Sequence, residues 1–301
     1  MVAWIPITIA GALFQCWRTA MQQKLRHLLS VNAAGFVRFL YGAPTALLLF
    51  LGCLAITGQP VPRPNLPFML YCVFGGLFQI LATNLLIASF GYRNFAVGTA
   101  YAKTEAAQSA VIALIVLHEV LKPLSWAGIA LGLTGVMTLS LAGRGFRPRD
   151  LLAATIQPAA LCGLSAGFLF AITTVLVKLA NQSLPDPSLV VKALFAVVVT
   201  NTLQTLMQGG WLLWREPDQL RKAFTTWRSS MWAGTLSGCG SACWFTGFAM
   251  ADVALVRSVG QIEIVFTLLF SRFYLHEQLK LSDVAGLVLV MGGVLLIVLG
   301  H

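Results

Sequence analysis

Along the whole chain, apolar runs close to the ~20 residues that a helix needs to cross a hydrocarbon core alternate with short polar breaks. The pattern predicts ten helices. In the first half they fall near 2–23, 32–57, 67–90, 95–117 and 124–142; in the second, near 157–179, 189–213, 229–250, 253–274 and 283–299. The breaks carry residues that stop helices, as in Gly58-Gln59-Pro60-Val61-Pro62-Arg63-Pro64 and Leu184-Pro185-Asp186-Pro187. A backbone facing lipid must satisfy its own hydrogen bonds, and no alternating strand-length pattern suggests a barrel. The expected class is therefore an all-α integral membrane protein.

The pattern also repeats. Leu117-His118-Glu119 recurs as Leu275-His276-Glu277, and the register continues through Glu105/Glu263, Lys122/Lys280, Gly128/Gly286 and Gly135/Gly293. A repeat of this length predicts a duplication, with one five-helix repeat at 1–145 and a second at 153–301. Five spans per half is an odd number, so the second half enters the membrane from the opposite side. The expected architecture is ten transmembrane helices in two inverted five-helix repeats, an arrangement that in carriers places the substrate near the midplane between the halves.

Composition narrows the function classes. The chain is 58% apolar and 10% charged, against roughly a quarter charged in soluble domains, so it belongs in lipid. Its net charge of +10 would suggest nucleic acid in a soluble protein, but here the basic residues gather at the ends of apolar runs, and no nucleic-acid partner is expected. The six cysteines lie inside apolar stretches and imply no disulfide framework. Cys239 and Cys243 lack the accompanying ligands of a zinc site, as do His118 and His276; no metal or cofactor is expected. The N-terminus lacks the basic region and cleavage site of a secretory signal and reads as a retained first span. With no phosphate-binding loop, nucleotide hydrolysis is not expected, and the scattered aspartates argue against a membrane-embedded enzyme.

The candidate chemistry lies at intramembrane charges. Glu105 and Glu263 fall near the middle of the fourth and ninth helices, about 15 Å from either interface at ~1.5 Å per residue. A carboxylate at that depth must face protein or a water-filled cavity, hold a proton, or pair with a cation. Two readings stand: a residue that binds and releases a coupling proton, or a static ion pair that locks helices together. Tyr101, Glu105, Gln108 and Ser109 share one stripe of the fourth helix, and Val259, Glu263 and Thr267 the matching stripe of the ninth. Position 103 lies about 200° away from 105. Lys103 and Thr99 therefore occupy a different face, matched in the repeat by Gln261 and Arg257. These mismatched positions are candidates for an anionic group of the substrate.

Arg18, within the first helix, either forks a substrate carboxylate or phosphate or neutralises Glu105 or Glu263. Arg38, Lys24 and Lys178 read as interfacial side chains that reach toward water. Trp4, Trp126, Trp211, Trp214, Trp227 and Trp232 read as interfacial anchors. Trp17 and Trp244 are deeper, and with Phe14, Tyr101 and Phe245 they either line an aromatic cavity or pack helices.

The stretch from Lys103-Thr104-Glu105 through Leu117-His118-Glu119, Lys122-Pro123-Leu124, Gly128, Gly132 and Gly135 resembles the fourth and fifth helices of the EamA-like drug/metabolite transporters, and Glu263 to Gly293 repeats it. The resemblance implies a ten-helix carrier in a bacterial inner membrane, with its cavity lined by helices 1, 3, 4, 6, 8 and 9. It implies a secondary active exporter or exchanger of small organic metabolites such as amino acids or organic acids, with protons as a possible coupling ion and a monomeric or homodimeric state. The alternatives are a drug or quaternary-amine carrier of the same fold and, beyond these, a passive channel. In the family a proline often follows the helix-4 glutamate; here Ala106 and Ile264 stand in its place. The basic loops following helices 1, 3, 5, 7 and 9 place both termini outside the cytoplasm by charge counting, opposite to the arrangement the resemblance implies.

Overall fold

The computed structural model describes residues 3–25, 27–89, 101–141, 158–185, 188–266, 269 and 281–300. Among these it forms α1 (Trp4–Leu25), α2 (Val31–Leu40), α3 (Gly42–Thr57), α4 (Leu66–Ser89), α5 (Glu105–Val116) and α6 (Pro123–Leu141) in the first half. The second half contains α7 (Pro158–Ser183), α8 (Leu189–Arg215), α9 (Pro217–Thr225), α10 (Trp227–Met250), α11 (Val253–Val259), a 3-10 turn (Gly260–Ile262) and α12 (Leu281–Gly300). The second Leu-His-Glu copy, Thr99, Thr267, Lys280 and the arginines at 93, 144, 147 and 149 lie outside the described residues.

Helix boundaries follow the apolar runs closely, as in α4 at Leu66–Ser89 against an expected 67–90. Among the described residues, four stretches, Val31–Thr57, Leu66–Ser89, Ala160–Ser183 and Leu189–Arg215, are long and apolar enough to cross a membrane. Leu48, Ile56, Leu206 and Leu299 are 67 to 88% exposed, an apolar outer surface suited to acyl chains. Local chemistry sets the ends. Ser30 and Ser188 cap α2 and α8 by accepting from Ala33 N and Val191 N, and Asn65 Oδ1 accepts from Phe68 N at 2.9 Å. Gly58 closes α3 in the left-handed region at φ 64°.

The chain divides into two compact units, each built from both halves of the sequence: Met1–Ile80 with Leu176–Ala251, and Leu81–Val175 with Asp252–His301.

In the first unit α1 lies along α10, and α3 packs on α8 and α10. Phe50, Val191, Leu194 and Ala242 form a buried apolar cluster. Phe195 packs against this cluster, with its ring 5.4 Å from Phe68 and 5.6 Å from Phe50. The second expected span is interrupted at Tyr41, and α10 meets the chain there through glycine: a Cβ on Gly234 would overlap Tyr41, and one on Gly238 would lie 2.9 Å from Gly42 O. Buried polar side chains are tied to carbonyls. Gln204 Nε2 donates to Gly76 O and Gln79 Oε1, and Gln208 Nε2 to Asn32 O.

Arg38 and Lys178 are buried instead of reaching an interface. Arg38 Nε donates to Ser237 Oγ at 2.9 Å, and Lys178 Nζ to Ala251 O at 2.8 Å, where the ammonium meets the negative C-terminal end of α10.

In the second unit α6 and α12 meet backbone to backbone. A Cβ on Gly135 would lie 2.7 Å from Val290 N, and one on Gly293 would lie 2.6 Å from Gly132 N. The small residues at 128, 132, 135, 286 and 293 are what permit this approach. His118 adopts φ 55°, turning the chain out of α5, and the next residue, Glu119, accepts Val253 N at 2.9 Å on Oε2. One copy of the repeated signature thus serves as the N-terminal cap of α11.

Candidate functional site

Both glutamate-bearing spans are interrupted immediately before the glutamate. In the fourth, residues 103–104 form a turn and α5 begins at Glu105; Thr104 N and Oγ1 both donate to Tyr101 O. In the ninth, α11 stops at Val259, the 3-10 turn occupies Gly260–Ile262, and helix resumes at Glu263. No proline is needed. Thr104 bonds its own backbone in a way that competes with the helix, and Gly260 carries the lowest helix propensity of any residue but proline. Glu105 therefore sits in the first turn of α5, where helical N–H groups favour negative charge.

These breaks position two ion pairs in the second unit. Lys103 Nζ lies 2.7 Å from Glu263 Oε2, and Arg257 Nη2 lies 2.8 Å from Glu105 Oε1. The pairing is crossed: each repeat supplies a cation to the other repeat's carboxylate. Two anions and two cations sum to zero, which is how charge becomes tolerable away from water. Thr174 orients Arg257. Its Oγ1 accepts from Nε at 3.1 Å and Nη2 at 2.9 Å while donating to Phe170 O at 2.7 Å.

Around the pairs lie further polar groups. Gln261, buried, rests on Gly132, where a Cβ would lie 2.6 Å from its Oε1. Its Nε2 has no hydrogen-bond partner among the described residues, nor has Ser109 Oγ or Ser258 Oγ. Gly167 brings α7 against the break, since a Cβ there would lie 3.0 Å from Ala102 O. Beside it an open cavity of about 480 Å³ is lined by Gln108, Leu164, Ser165, Phe168 and Leu169. Gln108 Nε2 donates to Thr104 Oγ1 at 2.7 Å, linking the cavity wall to the break.

The sequence-predicted residues fall into two groups. Lys103, Glu105, Arg257, Gln261 and Glu263 belong to the second unit, and Tyr101 with them, buried against Ala160, Met137 and Leu164. Arg18, Trp17, Phe14 and Trp244 belong to the first. There Arg18 is buried with Nη2 3.5 Å from Thr19 Oγ1, Trp17 is half exposed, and Trp244 stacks on Phe248 at 5.9 Å. Phe14 lies against α10 at Gly240. The role of Thr174 as the arginine's acceptor was missed by sequence reasoning, and no signal in the chain marks it.

Long apolar helices with exposed apolar outer surfaces, among the described residues, define an integral membrane protein. The sequence profile of the EamA-like transporter family matches residues 2–141 and again 157–299, and the chain belongs to that family. It is a transporter of the drug/metabolite type. No curated protein matches the chain. A protein of known crystal structure has the same fold, with a TM-score of 0.69 over 98% of this chain and 96% of its own, at 18% identity.

Proposed function

We propose that the chain is a secondary active exporter or exchanger of small organic metabolites carrying a carboxylate, such as amino acids or organic acids, working by alternating access between two inverted five-helix halves. The crossed ion pairs carry this reading. A bound anion competing for Lys103 or Arg257 would release a glutamate, and a lone carboxylate in that setting is costly. Two classes of cargo avoid the cost. A zwitterion brings its own ammonium to the released glutamate; an acid anion travels with a proton that neutralises it. A quaternary amine would release a cation and carries no group to replace the carboxylate.

Two copies of the family profile, each spanning five predicted helices, support the inverted halves, 1–145 and 153–301. Interrupted helices that end beside charged groups are a recurrent device of carriers, because they expose backbone dipoles to a bound ion or substrate. The partly unsatisfied Gln261 amide and the cavity at Gln108 supply polar contacts next to the pairs.

Counterflow in proteoliposomes tests the proposal. Liposomes preloaded with unlabelled amino or organic acids should accumulate the labelled compound transiently, and Glu105→Gln and Glu263→Gln should each reduce uptake at least tenfold. A flux that neither saturates nor shows counterflow would establish a channel. Full activity with an unchanged pH profile in both variants would remove the pairs from the mechanism.

A further inference from the structure

The segment joining α8 to α10 carries an exposed basic and aromatic surface that lies outside the candidate site. α9 is a nine-residue amphipathic helix begun by Pro217. Its inner face is clamped: Tyr41 Oη donates to Ala223 O at 3.1 Å, and Ser30 N donates to Gln219 Oε1 at 2.9 Å. Glu216 is turned inward as well, accepting from Ser30 Oγ and Asn32 Nδ2. The outer side is left basic, with Arg215, Arg221, Lys222 and Arg228 all exposed and Asp218 the one exposed acid among residues 215–228.

Aromatic rings are interleaved with these cations. Arg215 lies 3.9 Å over the Trp214 ring and Arg228 5.6 Å over Trp227. Trp211, Trp214, Phe224, Trp227 and Trp232 are 41 to 72% exposed. Aromatic rings are rarely left this bare in water, whereas the headgroup layer accepts both their apolar faces and their polar edges. α8 is long and apolar enough to cross a membrane, and at 27 residues it exceeds the ~20 that the hydrocarbon core requires, so its end at Arg215 and the start of α9 fall at the headgroup side of such a span. Leu206 and Leu213, 67% and 65% exposed, continue the apolar surface below it. An acidic soluble partner would match the cations and leave that apolar continuation uncovered.

We propose that α9 and its flanking Trp–Arg pairs form a docking surface for the headgroups of anionic phospholipids. The guanidinium groups fork the phosphate oxygens, the rings lie at the glycerol level, and α9 rests in the plane of the interface.

Native mass spectrometry of the full chain, released from mixed micelles containing equal phosphatidylglycerol and phosphatidylcholine, tests this. The wild type should retain the anionic lipid at least fivefold over the zwitterionic one, and the preference should fall below twofold in R215Q/R221Q/K222Q/R228Q. Equal retention of the two lipids by the wild type, or an undiminished preference in the variant, would overturn the proposal. A measurement on the wild type alone guards against a variant that fails to fold: stabilisation against heat by phosphatidylglycerol should be several degrees at low salt and absent at 1 M salt. Stabilisation that persists in salt would equally overturn it.

Discussion

Lys103 Nζ lies 2.7 Å from Glu263 Oε2, so a cation of the first repeat is held by the carboxylate of the second. Removing one partner leaves an uncompensated charge, whereas removing both leaves none. Lys103→Gln and Glu263→Gln should each destabilise the protein by about 2–3 kcal/mol, and the double variant should recover most of that loss. Thermal unfolding in detergent provides the measurement. Additive losses would show that the two side chains are not coupled.

Thr174 accepts two hydrogen bonds from Arg257. Thr174→Val keeps the shape and removes the acceptor, so the guanidinium loses both hydrogen bonds to that hydroxyl while its pairing with Glu105 remains. Stability should drop by about 1–2 kcal/mol, and uptake should fall more than with Thr173→Val, whose hydroxyl donates to Leu169 O within its own helix. Comparison of Tm and initial uptake rates for the two variants decides the matter.

Glycines should divide by what lies beside them. Gly135→Ala and Gly293→Ala place a methyl group under 3 Å from backbone atoms of the facing helix and should cost about 1–3 kcal/mol or more. Gly210 has nothing within 4 Å, so Gly210→Ala should stabilise α8 by up to about 1 kcal/mol. Opposite shifts in unfolding temperature are expected.

His118 holds φ 55°, a conformation glycine adopts freely. His118→Gly should be neutral or stabilising by about 0.5–1 kcal/mol, and His118→Val should destabilise. Glu119→Ala should cost about 1 kcal/mol by uncapping Val253 N. Urea titration of the purified protein would rank the three variants, and a tolerated valine would contradict the backbone argument.

The helical runs were legible in the chain because apolar length alone specifies a membrane helix; α4 and α12 begin and end within about two residues of expectation. What periodicity missed depends on tertiary contact. The break at Tyr41 is bound up with the bare face of Gly234 on α10, and α9 was passed over because its charges dominated a loop read only for topology. At the candidate site, helical spacing put Lys103 and Glu105 on different faces of one helix, whereas the structure breaks that helix at residues 103–104. Spacing could not reveal that the cation of one repeat serves the glutamate of the other, since pairing across 160 residues is settled by packing. Lys178 was misplaced for a related reason: a buried carbonyl at Ala251 supplies the partner that the interface was expected to provide.

The glycine seam between α6 and α12 has a mechanical consequence. Sliding of packed helices relies on side chains that can change rotamer and mesh anew. Where main chains already touch, no such play exists, and the two helices behave as a single stiff beam. In the alternating-access cycle proposed above, bending within the second unit would then fall elsewhere. The turn at residues 103–104 and the 3-10 segment Gly260–Ile262, where helical hydrogen bonding is already broken, are the compliant points.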